Sequence, residues 1–230
     1  MEKHYISVAS EQSIHFYESE LYPFQDQICS LIQNDRFYLS GGTCLSRFYY
    51  QHRYSDDLDF FYDGVIGSKE GFHIESREII QRISKIYRTE IEIDREYFKR
   101  IFAYCETTTL KIEFIYENFK NMGVRPKINS IVLDAKENLA TNKLCAAYDR
   151  KATKDFIDLF YLLQEFTFEQ AATWSKEKMI PIDYEGLAII FSDSKLEGSV
   201  LLKKEINRVV FQNFVDGLIS RMFDYAKNPR

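Results

Sequence analysis

Apolar positions recur along this chain with two different periods, and the change from one to the other organises it. From Glu11 to Gln33 they fall at Ile14, Tyr17, Leu21, Ile28 and Leu31, the spacing of one helix face, with Pro23 expected to interrupt or bend it. Arg36 to Ser40 is a short apolar run that ends in Gly41-Gly42, as a buried strand does. Thr43 to about Tyr50 reads as a helix, and Leu58 to Tyr62 as a second strand closed by the turn dipeptide Asp63-Gly64. Ile74, Ile79, Ile80, Ile83 and Ile86 mark a helix over His73 to Tyr87. Three runs with strand character follow, Thr89–Asp94, Phe98–Glu106 and Thr108–Tyr116, and fit an antiparallel meander added to the first two strands. Asn121 to Lys127, with Gly123 and Pro126, reads as a loop.

Beyond about Asp134 the helical period stands alone. Helices are expected over Leu139–Tyr148, Lys154–Glu165 and Phe168–Lys178, and a last long one over Leu201–Tyr225. The fold class is therefore α+β, with a mixed α/β part over residues 1–130 and a helical part over residues 131–230.

Composition narrows the choice of function only a little. Hydrophobic residues make up 45% and charged residues 28%, as in an ordinary globular protein, and the formal net charge of -5 argues against a general nucleic-acid coat. Cys29, Cys44, Cys105 and Cys145 lie far apart with no C-x-x-C pair, which points to free thiols in a reducing cytoplasm. The histidines (His4, His15, His52 and His73) have no metal-ligand spacing. The opening residues form no apolar signal core, and no apolar run is long enough to span a bilayer, so a cytoplasmic protein with no membrane partner is expected.

The chemistry concentrates between Phe37 and Phe61. Gly41-Gly42-Thr43 sits at a strand-to-helix turn, where glycines let backbone approach a ligand, a helix start offers N–H groups to phosphate, and Thr43 adds a hydroxyl. Asp57 and Asp59 stand at the start of the next strand, where a period of two puts both carboxylates on one face. Two like charges so placed need a counter-charge, and Mg²⁺ (or Mn²⁺) bridging carboxylates and substrate phosphates supplies it. A third acid is expected from a neighbouring strand. Glu113 leads, because it breaks the apolar run Leu110–Ile115, and the alternative reading pairs it with Lys111 on a wet sheet face. Glu92 and Asp94 are further candidates.

These residues together resemble the nucleotidyltransferase superfamily, and more closely the AbiEii/AbiGii toxin family within it. Gly41-Gly42-Thr43-x-Leu45 and Arg53-x-Ser55-x-Asp57-Leu58-Asp59-Phe60-Phe61 are similar to its first motif, and Lys111-Ile112-Glu113 to its second. Asn142-Lys143-Leu144, Asp149-Arg150-Lys151 and Lys154-Asp155-Phe156-Ile157-Asp158-Leu159 match its third, so that the likeness spans residues 37 to 163 in order. Thr43 stands where many members carry Ser. Asp56 extends the acidic run, but a pair beginning there would need an acid where Leu58 stands.

The resemblance implies a mixed nucleotidyltransferase-type β-sheet with flanking helices, followed by a C-terminal helical bundle. It implies a metal-dependent transfer of a nucleotide from a nucleoside triphosphate (NTP) to a cellular RNA, such as tRNA, or to a protein, opposed by a cognate antitoxin. Asp57, Asp59 and Glu113 would hold metal. Gly41, Gly42, Thr43, Arg53, Ser55 and Lys143 would hold phosphates, and Asp158 would orient Lys143 or Arg150. On a helix Lys154 and Asp155 lie within a turn of Asp158, so an inter-helix salt-bridge network is the alternative for these groups. Two rival functions remain at this level: nucleotide transfer to a small molecule such as an aminoglycoside, and a non-catalytic nucleotide-binding module.

Overall fold

The structure, a computed structural model, describes residues 6–106, 108–150, 152–178, 180, 182–192 and 198–227. His4 and Lys151 lie outside the described residues. In chain order the elements begin with β1 (Ile6–Val8), α1 (Glu11–Phe16), a π-helical turn (Tyr17–Leu21) and α2 (Tyr22–Ser30). Next come β2 (Phe37–Ser40), α3 (Gly41–Thr43) continuing as π-helix over Cys44–Tyr49, β3 (Leu58–Asp63) and α4 (Lys69–Ser84). The strands β4 (Arg88–Asp94), β5 (Phe98–Cys105), β6 (Thr108–Glu117), β7 (Lys127–Ile128) and β8 (Ile131–Leu133) follow. Then come α5 (Lys136–Arg150), α6 (Thr153–Leu162), α7 (Phe168–Glu177), α8 (Tyr184–Ser192), β9 (Val200–Leu202) and α9 (Arg208–Lys227).

Contacts gather these into two units. One holds Ala9–Lys120 and Val124–Ala135; the other holds β1, Asn121–Gly123 and the chain from Lys136 onward.

The first unit is built on a seven-stranded mixed sheet in the order β4-β5-β6-β3-β2-β8-β7. The expected antiparallel meander is β4-β5-β6, but its junction to the earlier strands differs: β6 lies parallel to β3, because α4 and two strands intervene before the chain returns. The residues after Asn121, read as loop, contribute the β7–β8 hairpin, and β8 runs parallel beside β2. Runs of two and three residues are too short to carry a period.

Alternation sorts the two faces of this sheet. Phe37, Leu39, Leu58, Phe60, Tyr62, Ile101, Ile112 and Phe114 are all buried on one face. Phe72 of α4 packs there, edge-on to Tyr62 with ring centroids 5.7 Å apart, and each such buried ring contributes about 1.5–3 kcal/mol. The other face carries Tyr38, Ser40, Asp59, Phe61, Lys111 and Glu113. α4 begins four residues earlier than its apolar face predicts because the Ser68 hydroxyl caps it, accepting from the Gly71 N–H at 3.0 Å. The expected break at Pro23 takes the form of the π-helical turn Tyr17–Leu21 just ahead of it, as befits a residue with no N–H to donate.

The second unit is helical, α5 to α9, with one small parallel sheet of β1 and β9. Val200 and Leu202 of β9 bury against Ile157, with Ile6 and Phe211 packed around them. The long helix expected from Leu201 is thus a strand followed by α9. Asn207 starts that helix, its side-chain oxygen accepting from the Val209 and Val210 N–H groups at 3.0 and 3.2 Å. The Thr167/Gln170 capping box starts α7. Among the described residues no helix is long and apolar enough to cross a membrane.

Candidate functional site

The residues singled out in the sheet unit form a row across four strands. Asp59 on β3 stands opposite Glu113 on β6, which stands opposite Arg100 on β5, and on its other side Asp59 faces Ser40 on β2. Register partners in a sheet point to the same face, so the carboxylates of Asp59 and Glu113 project side by side. Asp57 precedes β3 by one residue, and its carboxylate meets Lys111 of β6, whose Nζ lies 2.7 Å from Asp57 Oδ2 and 3.5 Å from Glu113 Oε1. Arg100 holds the same Glu113 oxygen through Nε at 2.7 Å and reaches Glu92 through Nη1 at 3.0 Å. Glu92 and Asp94 lie on β4, three strands from β3; Asp94 pairs with the buried Lys99, and neither adjoins Asp59.

The turn before the row is shaped by the site's own side chains. Gly41 has φ +68°, and a Cβ there would overlap the Asp59 carboxylate. A Cβ on Gly42 would run into the Arg53 guanidinium and crowd the Ser55 hydroxyl. Thr43 is buried, and its hydroxyl lies 2.9 Å from Ser55 Oγ and donates to the Asp57 carbonyl. In this arrangement Thr43 fixes the loop that carries Asp57. Ser40 donates to Asp134 Oδ2 at 2.6 Å, and the carbonyl of Asp134 accepts from Tyr49 at 2.7 Å. The end of β8 therefore anchors both sides of the glycine turn.

Residues 53–57 form an irregular loop, and the first helices hold it. Gln25 donates to the carbonyls of Ser55 and Asp56 at 3.3 and 3.0 Å. Tyr17 donates to Asp56 Oδ1 at 2.5 Å and stacks on Tyr54 with ring centroids 4.3 Å apart. Burial, then the Asp56 carboxylate, pushes the Tyr17 hydroxyl far above the ordinary tyrosine range, so it remains a donor. Arg53 is buried and donates to the Tyr54 carbonyl at 2.9 Å.

Among the described residues no three carboxylate, thiol or imidazole groups stand gathered as a ready metal-ligand set. Asp57 and Glu113 converge instead on one ammonium, that of Lys111. Partial burial acts to lower the pKa of Lys111, but the hydrogen bond to Asp57 and the charges of Asp57, Glu113 and Asp59 outweigh it, and the net shift is upward. Asp57 and Glu113 thus pair with Lys111 directly, and the charge of Asp59 adds to theirs.

A second acidic pair on the same face differs from the first. Asp63 stands opposite Glu117, four residues further along β3 and β6. Arg125 donates to Asp63 at 2.6 Å, Tyr38 donates to Glu117 at 2.6 Å, and the Arg125 guanidinium lies 3.4 Å from the centre of the Tyr38 ring. Both acids are buried; Asp63 ties the segment before β7 to the sheet, and Glu117 ties β6 to β2.

Lys143 and Asp158 belong to the helical unit. Lys143 of α5 is buried between two buried acids of α6, with Nζ 2.9 Å from Asp155 Oδ1 and 2.6 Å from Asp158 Oδ2. Arg150 completes the cluster from the half-exposed end, 2.7 Å from Asp155. Burial acts to raise the Asp155 carboxyl, but the Lys143 and Arg150 charges outweigh it and the net shift is downward. Two cations and two anions balance, and they join α5 to α6.

Sequence reading passed over Lys111 as a site residue and missed Tyr17, Gln25 and Asp134 altogether. The partners of Tyr17, Gln25 and Asp134 lie far along the chain, so no local signal marks those three; Lys111 stands in the second motif, but its contact with Asp57 is a distant one.

Residues 27–214 match the family model described as "Nucleotidyl transferase AbiEii toxin, Type IV TA system". An uncharacterized protein of Aquifex aeolicus (strain VF5) is 29% identical over 185 residues, covering 75% of this chain and 82% of its own. The crystal structure of JHP933 from Helicobacter pylori superposes with a TM-score of 0.59 at 20% identity, over 96% of this chain and 95% of that one. A candidate nucleotidyltransferase of H. pylori gives 0.60 at 20% identity, over 96% and 99%. The two structures share the fold.

Two measurements check this geometry. Gly41→Ala forces a side chain into a left-handed position against Asp59, and chemical denaturation is expected to show a loss of about 1–3 kcal/mol; unchanged stability would contradict the close packing. Asp155→Asn is expected to cost about 3–5 kcal/mol at neutral pH. The folded carboxyl titrates below its ordinary 3.8, so its stabilisation is complete above that value and is lost as pH falls through the folded pKa. The gap between wild type and variant should therefore narrow only below about pH 4. A gap that is small at pH 7, or that does not change with acid, would contradict the clustered ion pairs.

Proposed function

Because the chain belongs to the AbiEii nucleotidyltransferase toxin family and is a nucleotidyltransferase, we propose that it works with Mg²⁺ (or Mn²⁺) bound by Asp57 and Asp59, transferring a nucleotide from an NTP to a cellular RNA or protein. One observation carries this reading: Asp59 and Glu113 are register neighbours on parallel strands, while Asp57 and Glu113 converge on one cationic group. Bound metal supplies charge neutralisation at the transferring phosphate and lowers the pKa of an acceptor hydroxyl. Glu113, oriented by Arg100, is the third carboxylate, completing the metal site or taking the proton of the acceptor.

The protein's own groups do the positioning. Gly41 and Gly42 let the backbone lie close against the Asp59 carboxylate, the Arg53 guanidinium and the Ser55 hydroxyl, the groups the triphosphate would meet. Thr43, Gln25 and Tyr17 fix the loop so that Asp57 stays in place when phosphate charge arrives. Such pre-set geometry is where most of the rate gain in phosphoryl transfer comes from. The Type IV toxin–antitoxin description of the family supports growth arrest as the outcome, with an antitoxin protein as the opposing partner.

Purified protein with Mg²⁺ and each labelled NTP, incubated with total RNA and then with cell extract, tests the reading. Transfer of label is expected, and Asp59→Ala should reduce it by at least about 100-fold. Equal transfer by the variant, or none from any NTP to any acceptor in either mixture, would refute it.

A further inference from the structure

A lysine in the midst of three carboxylates poses a problem for any metal that is to bind there. The oxygens that would coordinate the ion already face an ammonium group: Lys111 Nζ is hydrogen-bonded to Asp57 Oδ2 at 2.7 Å and ion-paired with Glu113 Oε1 at 3.5 Å. A divalent ion within coordination distance of those oxygens would stand a few ångströms from a positive charge, and the two would repel strongly.

The two basic residues at the row are built differently. Arg100 bridges Glu113 and Glu92 by separate guanidinium nitrogens, and this two-point hold keeps it and Glu113 oriented. Lys111 carries a point charge on a flexible four-carbon stem, and its side chain is 28% exposed. Lys111 is therefore the one of the two able to leave without disturbing the strand row.

We propose that Lys111 is an internal competitor for the divalent cation: in the ligand-free protein its ammonium holds the carboxylate site, and metal loading requires it to swing out. This rests on the metal reading of Asp57, Asp59 and Glu113 given above. While the site is empty of metal, Lys111 keeps the carboxylates from repelling one another. Once displaced it remains tethered to β6 beside the site, where the anionic triphosphate is the group it would meet. Metal and nucleotide then load together: the metal alone binds weakly, and the triphosphate strengthens its binding by drawing the lysine away.

Direct titration tests this without relying on turnover. Free Mn²⁺ is counted by electron paramagnetic resonance as it is added to wild type, Lys111→Met, Lys111→Gln, Lys111→Arg and Asp57→Asn, with circular dichroism confirming that each is folded. Without nucleotide, Lys111→Met and Lys111→Gln should bind Mn²⁺ about tenfold more tightly than wild type, the scale of one charge-assisted contact. Lys111→Arg, which keeps the cation, should stay near wild type. Adding a non-hydrolysable NTP should tighten binding in wild type by a larger factor than in Lys111→Met. If wild type binds Mn²⁺ in an Asp57-dependent way and the neutral variants bind no more tightly, the competition is refuted while the metal reading stands. If neither wild type nor the neutral variants bind, with or without nucleotide, the metal reading falls and the inference falls with it.

Discussion

The position of Asp59 depends on the register in which β3 lies between β2 and β6. Antiparallel pairing with β2 sets Asp59 opposite Ser40, and parallel pairing with β6 sets it opposite Glu113. A slip of one residue would turn Asp59 into the core and bring Leu58 and Phe60 to the solvent side. Three fully buried side chains on the inner face, Leu58, Phe60 and Tyr62, resist that slip, so the hydrophobic packing behind the sheet fixes the chemistry in front of it. The glycine turn belongs to the same constraint, because at Gly41 the backbone comes so near to Asp59 that no side chain fits.

Charge is distributed so that this row can exist without its ligands. Asp57, Asp59 and Glu113 face Lys111 and Arg100, while the second pair, Asp63 and Glu117, is satisfied by Arg125 and Tyr38. The two pairs share a face and a strand spacing but differ in burial and partners. Asp63 and Glu117 are closed inside the fold, whereas Asp59 and Glu113 stay partly exposed beside the half-buried Lys111. The proposed site rests on the first pair for that reason.

The features written in adjacent residues were the legible ones. The glycine pair after a short apolar run, and the alternation of Asp57, Leu58, Asp59 and Phe60, carry their geometry locally. The α+β class of the fold was legible too, through the change of period along the chain. Pairings between distant segments were not legible. Strand β9 continues the helical apolar pattern of the sequence and is set as a strand by a partner, β1, nearly the whole chain away, and β8 is too short, at three residues, to show a period. The sequence places Lys111 beside Glu113, two residues on, whereas its shorter contact is with Asp57 in the loop before β3. The clamp on the loop by Tyr17 and Gln25 has the same origin: it depends on where α1 and α2 pack, which no local pattern states.

The central claim is that the carboxylate row is a metal–triphosphate site, and its location is the most direct thing to measure. Crystals grown with Mn²⁺ and a non-hydrolysable NTP, examined by anomalous diffraction, should show a manganese peak coordinated by Asp57 and Asp59, with the Lys111 side chain moved away from Asp57. A triphosphate bound with no metal at these carboxylates, or manganese found only elsewhere on the chain, would contradict the account.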